Sequence, residues 1–294
     1  MDTGEKLLLF GGLPTDYLNG WEITSDLGVA GKKLGLRFEA VPADELRSRY
    51  ASLSSQAQAE ATRLAQDLTA HASRTTQVAD EEIVKAARLY LAMARIVEER
   101  GGDGVTIVCR PWIREETLPV PCVALMLFQE RGIPAACQGD LDALLTMVLF
   151  KRAAGVPTFM GGAVKANGHL GISHCVLPRN LCAAEREKEE YYIGDYHGRK
   201  ESPTVHTTVS AGKVVTIARL TKGLKSLLLV RGTVRGCQDR EGWCRNTLVV
   251  DVPDREKVFG AVKGVQNHYV VACGDHGATL SKRAKEKGIE VVIL

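Results

Sequence analysis

The stretch VTIVCRPWIREETLPVPCVALMLFQERGIPAACQGD, residues 105–140, decides the fold. It holds two short apolar runs, Val105–Cys109 and Ile133–Cys137, which are separated by a helical pattern over residues 120–131. Another helical pattern, residues 141–154, follows directly. Apolar runs that alternate with helical patterns predict strands of a mostly parallel open sheet with helices against its faces.

Acidic residues follow each of these two predicted strands. Glu115 and Glu116 come after the first strand, and Asp140 comes after the second. Open α/β sheets bind ligands beyond the carboxyl ends of their strands, where two acids can hold a divalent cation or share acid–base work. The structural alternative is that Asp140 caps the helix that begins at Leu141, with both glutamates solvated. Asp142 is a second capping candidate, so both interpretations stay open.

Composition and charge narrow the class of protein. The 294 residues are 45% hydrophobic and 25% charged, as in a globular protein of one or two domains. The net charge is only +3, and the basic residues alternate with acids, which indicates no nucleic-acid partner. No apolar run reaches the ~20 residues of a membrane span, and the start MDTGEKLLLFGG does not read as a secretory signal. We therefore expect a cytoplasmic protein.

The eight cysteines contain no CxxC pair. Several lie inside apolar runs, where free cysteine behaves as a small hydrophobic residue. This usage predicts a reduced, cytosolic setting. Cys237 and Cys244 flank a predicted hairpin turn, GCQDREGWC, and would be able to pair only if the protein were oxidised.

The composition changes after Cys182, and we place a domain boundary near residue 185. Residues 1–185 are predicted to form the α/β domain, including two short strands at 157–160 and 169–175. Residues 186–294 are predicted to form a small, barrel-like β domain that closes with a helix and a last strand. Within it, Ala211–Gly212 is predicted to be the turn of a hairpin. The other predicted elements are strands at 7–10, 37–41, 226–234, 247–252 and 290–294, and helices at 55–72, 80–100 and 277–287.

Three segments in order resemble the L-fucose isomerase and L-arabinose isomerase superfamily. They are GIPAACQGDLDALLTMVLFKRAAGVPTFMGG (132–162), TVHTTVSAGKVVTIARLTKG (204–223) and GVQNHYVVACGDHGATLSKRAKEKGIEVV (264–292). The resemblance covers most of the chain from residue 105 onward, and the preceding residues are similar to the family's middle domain. It implies a metal-dependent aldose–ketose isomerase that acts through an ene-diol.

The resemblance also assigns site residues. Glu116 and Asp140, which are 24 positions apart (140 − 116), match the family's metal-binding glutamate and aspartate. His268, which follows Asn267, matches its metal-binding histidine, and a slip of one position to Glu115 stays open. In such enzymes these groups hold Mn²⁺, and the two carboxylates also move the proton between C1 and C2 of the open-chain sugar.

These residue types suit that chemistry. A proton on carbon beside a carbonyl is weakly acidic, so the enediolate oxygen needs a cation against it. A bound metal ion supplies that positive charge as a Lewis acid. Carboxylate oxygens with one imidazole suit manganese better than a set of thiolates would.

Four further residues were candidates for the same edge of the sheet. His174 and Cys175 follow a short strand; a substrate-facing role for His174 competes with that of a satisfied core histidine. His276 is expected to act behind the site at most. Trp112 either packs over a sugar face or, as is commoner after a strand, belongs to the core.

The chain also departs from the family pattern. Gln138 stands where the family usually has an acid, and Gly162 stands where an aspartate is common. By resemblance, the chain begins at the second domain of fucose isomerase and lacks the N-terminal domain. Because that family completes its sites across subunits, we expect a homo-oligomer, a trimer or a hexamer.

The same features support two other functions. The loss of two acids and of a domain is consistent with a non-catalytic sugar-binding homologue. A site that stabilises an enediolate would also serve a metal-assisted lyase or epimerase that acts on a sugar derivative. A sugar isomerase is the function that the motifs favour, and they do not identify the substrate.

Overall fold

A computed structural model of the chain describes residues 4–12, 25–115, 117–183, 188–261 and 268–294. Within these ranges the protein has a mixed α/β architecture, with one parallel sheet and one larger, mainly antiparallel sheet. The parallel sheet and the barrel-like β region that the sequence predicts are thereby confirmed in outline.

Four parallel strands form the open sheet: β1 (Lys6–Phe10), β2 (Arg37–Val41), β3 (Gly104–Ile107) and β4 (Ala135–Ala136). Their order is β2-β1-β3-β4. The inner strands are continuous apolar runs, as expected when helices cover both faces of a parallel sheet. The helices of this half are α1 (Leu27–Leu34), α2 (Ala43–Ala51), α3 (Ser55–Ala70), α4 (Asp80–Arg100), α5 (Arg110–Glu115), α6 (Cys122–Glu130) and α7 (Leu141–Ala154).

Helix α7 lies between the two sheets. It contacts β3 and β4 on the parallel side and two strands of the antiparallel sheet, Val214–Leu220 and His268–Cys273, on the other. Its residues from Leu141 to Phe150 are all buried, which explains why it is apolar all round rather than along one face. It has only 14 residues, and within the described ranges no helix combines the length and the apolar character that crossing a bilayer requires.

Six antiparallel strands close into a barrel in the order β11-β6-β5-β12-β9-β10, and pairing of β10 with β11 completes the circle. A further strand, β13, extends β10 in parallel, and β7 and β8 form a separate hairpin. The strands are β5 (Phe159–Ala166), β6 (His169–His174), β7 (Tyr191–Tyr196), β8 (Arg199–Thr207), β9 (Val214–Leu220), β10 (Ser226–Gln238), β11 (Asn246–Asp251), β12 (His268–Cys273) and β13 (Glu290–Ile293). The helices of this half are α8 (Arg255–Ala261), α9 (Gly277–Glu286) and a short 3-10 turn, Lys222–Leu224.

Two strands belong to a different sheet from the one the sequence indicates. β5 and β6 precede the predicted boundary near residue 185, yet they pair with β12 and β11 and form part of the barrel wall. Strand patterns are local, whereas strand partners are chosen by packing across the whole chain. The sequence therefore locates both strands but not their sheet.

The predicted hairpin at Ala211–Gly212 is wrong for the same reason. β8 pairs with β7, while β9 pairs with β10 and β12. The turn instead carries the chain from one sheet to the other, and the Gly212 N–H donates to the Val234 carbonyl of β10. The predicted hairpin across residues 237–244 is confirmed, because β10 and β11 pair antiparallel on either side of it.

One disulfide differs from the expectation of a fully reduced chain. Cys182, in the segment that leads out of the α/β half, is bonded to Cys273 at the end of β12. Cys237 and Cys244 are both free thiols, so the pairing that an oxidised hairpin would have allowed is not formed.

A buried ion pair ties α6 to the segment before that disulfide. The Arg179 guanidinium donates to both Glu130 carboxylate oxygens at 2.6 and 2.7 Å, and the Arg179 backbone N–H donates at 3.1 Å. Both side chains are almost fully buried. Removing one partner of such a pair leaves an uncompensated charge in the interior.

We expect Glu130→Ala to lower the free energy of unfolding by about 3–5 kcal/mol, since Arg179 would stay buried without its carboxylate. Urea denaturation measures this change. The matched control is Arg235→Ala, which removes an exposed pair with Asp251 and should cost less than about 1 kcal/mol. Equal stability of the two variants would contradict the account.

Candidate active site

Asp140 begins α7 at the carboxyl end of β4. Its Oδ1 accepts a hydrogen bond from the Ala143 N–H at 2.9 Å, which confirms the capping interpretation. The two residues before it, Gln138 and Gly139, both have positive φ (60° and 69°), so the chain turns sharply out of the strand. A glutamine held in this region is strained, and such strain occurs often at functional sites.

The same carboxylate also holds a cation and an imidazole. Asp140 Oδ2 accepts hydrogen bonds from Arg219 Nη1 at 2.9 Å and from His268 Nδ1 at 3.0 Å. Arg219 Nη1 in addition donates to the His268 carbonyl at 2.8 Å. Asp140 and Arg219 are fully buried, while 9% of the His268 side chain remains exposed. Of the three side chains, His268 alone retains any exposed surface.

The charge state of Asp140 follows from these contacts. Burial by itself raises the pKa of Asp140, but the Arg219 guanidinium and the His268 hydrogen bond outweigh it and hold the pKa below its ordinary value. Asp140 is therefore a carboxylate, which only accepts hydrogen bonds. Nδ1 of His268 must therefore carry a proton, so only Nε2 can serve as a metal ligand.

A second histidine lies against the first. The rings of His174 and His268 meet edge to face, with centroids 5.3 Å apart. The Cys175 N–H donates to His174 Nδ1 at 2.8 Å, so the ring proton of neutral His174 lies on Nε2. Burial and the neighbouring His268 lower the pKa of His174, which keeps it neutral. Among the described residues its buried Nε2 has no hydrogen-bond partner, so His174 is not the satisfied core histidine that was the alternative.

A small cavity of about 50 Å³ opens beside His174 at this end of the molecule. Arg110, Gln138 and His197 line it, and Arg110 donates to Gln138 Oε1 at 3.1 Å. Five free cysteines also line it: Cys109, Cys122, Cys137, Cys175 and Cys244. The hydrogen bond to Cys122 and burial both raise the pKa of Cys175, so this thiol is neutral.

A larger cleft of about 700 Å³ adjoins the cavity, because Ile113 lines both. Two bases and two acids line it, Lys85 and Arg199 with Glu82 and Glu201, and Lys85 pairs with Glu82 at 2.6 Å. Thr117, the residue after Glu116, also lines it. This cleft is large enough for a sugar, whereas the small cavity alone is not.

The structure brings together two of the three residues that the resemblance assigns to the site, Asp140 and His268. Glu116 lies outside the described residues. Glu115 is exposed at the end of α5. Gly162, where the family has an acid, pairs with His268 in the β5–β12 ladder and offers no side chain.

The remaining candidates are placed differently. Trp112 is buried, and a Cβ at Gly11 would lie 2.9 Å from its ring, so Trp112 is a core residue. His276 precedes α9, and its Nε2 is 2.7 Å from the Cys273 carbonyl. Both side chains are therefore occupied by structural contacts.

Sequence reasoning missed Arg219, although the chain contains a signal for it. Arg219 lies in VVTIARL, an otherwise apolar strand, and an arginine there must find a buried partner. It also missed His197, which the fold brings to Cys175 and Cys244 from 22 and 47 positions away in the sequence. No local sequence pattern predicts a contact between residues so far apart in the chain.

The arrangement fits a metal ion at His268 more closely than at Asp140. Histidines that bind metals commonly donate their other ring N–H to a carboxylate, as His268 does here. Asp140 has N–H donors on both oxygens and a guanidinium beside it. The donor geometry therefore suits His268 as a ligand with Asp140 behind its ring.

One comparison with known proteins bears on this site. The chain is 24% identical over 281 residues to a protein named sulfoquinovose isomerase from Clostridium sp. (strain MSTE9). The match covers 92% of this chain and 60% of that protein, so the chain spans about 60% of the length of this relative. No family model matches the chain.

Asp142, two residues after Asp140, is a second buried acid beside Arg219. It is almost fully buried, accepts the Ser25 N–H at 3.2 Å and lies 4.0 Å from Arg219 Nη2. Burial raises the pKa of Asp142 to about 6, although Arg219 opposes the shift. The folded state thus binds this proton more tightly than the unfolded chain, whose aspartates titrate near ~3.9.

The contribution of Asp142 to stability is therefore fully present below about pH 4 and is lost as the pH rises through about 6. We expect Asp142→Asn, which cannot ionise, to gain stability relative to the wild type by roughly 2–3 kcal/mol between pH 4 and pH 7. Urea denaturation across that range measures the difference. Parallel stability curves for the two proteins would contradict it.

Proposed function

We propose that this chain is a sugar isomerase that interconverts an aldose and a ketose through an ene-diol. The observation that carries the proposal is the buried Arg219–Asp140–His268 arrangement at the carboxyl end of the parallel sheet. The relative named sulfoquinovose isomerase supports the same kind of reaction. The order of the three motifs that resemble fucose isomerase supports it independently.

In this proposal Asp140 and Arg219 position His268 rather than touch the sugar. Asp140 fixes the ring through Nδ1, which leaves Nε2 for the metal ion. Arg219 keeps Asp140 ionised without contact with solvent. We therefore move Asp140 from the ligand role that the resemblance implies to a position behind His268.

His268 and Glu116 would hold the manganese ion, which supplies positive charge against the oxygens of the open-chain sugar when it is bound. Glu116, which follows α5 in sequence, is the carboxylate we assign to proton transfer. It takes the proton from C2 of the aldose and returns it to C1, while the hydroxyl proton of O2 passes to O1, and the reverse direction uses the same group.

His174 gives the enediolate oxygen a hydrogen-bond donor. Its Nε2–H is buried, belongs to a neutral ring and points away from the Nδ1 contact with Cys175. A neutral imidazole donates a hydrogen bond to the developing oxyanion. An imidazolium would place a much stronger acid at the same position. Ring contact with His268 keeps this donor near the site.

The substrate we propose is an anionic sugar, and the name of the relative makes a sulfonated aldose the first choice. Two guanidinium groups line these compartments, Arg110 at the small cavity and Arg199 at the cleft, where Glu201 and the Lys85–Glu82 pair also lie. A guanidinium binds a sulfonate with charge-assisted hydrogen bonds. A homo-oligomer, trimer or hexamer, is also part of the proposal by resemblance.

Removal of divalent metal with a chelator should abolish turnover, and Mn²⁺ should restore it. His268→Gln should weaken Mn²⁺ binding by more than the roughly 10–100-fold typical of losing an outer-shell partner. Titration of free Mn²⁺ by electron paramagnetic resonance measures the affinity. His276→Gln is the matched control, because that ring lies against the Cys273 carbonyl and the Phe150 ring rather than against Asp140. Turnover in chelated protein would refute the metal requirement.

Glu116→Gln should abolish exchange of the C2 hydrogen with deuterated water, since an amide cannot accept the proton. We expect turnover to fall by roughly 10²–10⁴-fold. Proton NMR of a sulfonated aldose and of glucose follows exchange and isomerisation together. Glu115→Gln, which alters the neighbouring exposed carboxylate, should behave like the wild type. The opposite result would show that the register is off by one position.

A further inference from the structure

A second set of potential ligands lies at the same end of the molecule and takes no part in the proposed isomerisation. His197 Nε2 lies 3.6 Å from Cys175 Sγ and 3.3 Å from Cys244 Sγ. The two sulfurs and the nitrogen all lie within 4.8 Å of one another. We call these three residues the thiol–imidazole cluster.

The fold places the two sulfurs close together through strand register. β6 and β11 pair with His174 opposite Asn246, so Cys175, just after β6, and Cys244, just before β11, leave the ladder at the same edge. The disulfide in this structure joins two other cysteines, so both sulfurs remain available as ligands.

The imidazole is held in place by the β7–β8 turn. His197 has φ +52°, in the left-handed region that few residues other than glycine adopt. Its ring stacks on Tyr196, with centroids 4.1 Å apart and planes 19° apart. A strained backbone and a stacked ring together aim one nitrogen at both sulfurs, as a pre-formed ligand site requires.

We propose that the thiol–imidazole cluster binds Zn²⁺. With Zn–S about 2.3 Å and Zn–N about 2.0–2.1 Å, a tetrahedral site has sulfur–nitrogen edges of about 3.6 Å. The two edges in the structure are 3.6 and 3.3 Å, so a zinc ion fits with little rearrangement. Two thiolates and one imidazole favour a borderline-soft cation over the harder Mn²⁺.

The fourth position of this zinc faces the small cavity. All three ligands line that cavity together with His174, whose buried Nε2 has no hydrogen-bond partner among the described residues. The cavity leaves room beside the three ligands for a water molecule as the fourth ligand. Three protein ligands with an open fourth position distinguish this site from a closed structural zinc site.

Cobalt substitution tests the proposal in the 294-residue chain, independently of isomerase activity. Metal-free protein kept reduced is titrated with Co²⁺, and thiolate ligation is read from sulfur-to-cobalt charge-transfer absorption. We expect one Co²⁺ per chain to give this absorption, and Zn²⁺ to displace that ion and remove the absorption. Manganese should leave the cobalt absorption unchanged.

Two variants locate the site. His197→Asn removes the imidazole but keeps a residue that tolerates positive φ, and Cys244→Ser removes one half-buried thiol. Each should weaken Co²⁺ binding by more than about tenfold. Cys237→Ser, at a half-buried free cysteine on the same hairpin, is the control and should bind like the wild type.

Circular dichroism and thermal unfolding of the metal-free proteins confirm that each variant is folded before its affinity is read. Absence of thiolate charge transfer in the wild type overturns the proposal. Equal Co²⁺ affinity of the wild type and the two ligand variants overturns it as well.

Discussion

A single buried guanidinium organises this protein. Arg219 projects from the barrel strand β9 and is fully buried, so its charge must be balanced inside the protein. Asp140 balances it, with Asp142 at 4.0 Å, and the His268 carbonyl accepts a further hydrogen bond. Removing one partner of a buried ion pair strongly destabilises a protein, whereas replacing both partners with well-packed apolar residues is often neutral. This ion pair therefore helps to fix the orientation of the barrel against α7.

That dependence joins stability to the site. Thr146 also links helix α7 to the barrel, because its hydroxyl donates to the Asp142 carbonyl and accepts the Leu220 N–H of β9. Asp140 thus does three things at once: it caps α7, neutralises Arg219 and fixes the tautomer of His268. Because these contacts share one carboxylate, the joint between the sheets and the geometry of the imidazole cannot vary separately. The protein orients its site with the same atoms that hold its halves together.

Two kinds of donor meet at this end of the molecule. One is the His268 imidazole, whose Nδ1 donates to the Asp140 carboxylate. The other consists of thiols and a stacked imidazole around a small cavity. Hard and soft cations are sorted by such differences of ligand type more than by affinity alone. His174 lies between the two, with its ring against His268 and its backbone next to Cys175.

The sequence by itself determined the local elements. The ends of Asp80–Arg100 and Leu141–Ala154 are as predicted, because helical periodicity and terminal glycines act within a few residues. The closeness of Asp140 to His268 was predicted by family resemblance and not by any local pattern. Only the tertiary structure decided that β5 and β6 join the barrel, that Arg219 is the partner of Asp140 and that His197 meets two cysteines. Those contacts depend on long-range packing and burial, which a linear pattern of residue types does not encode locally.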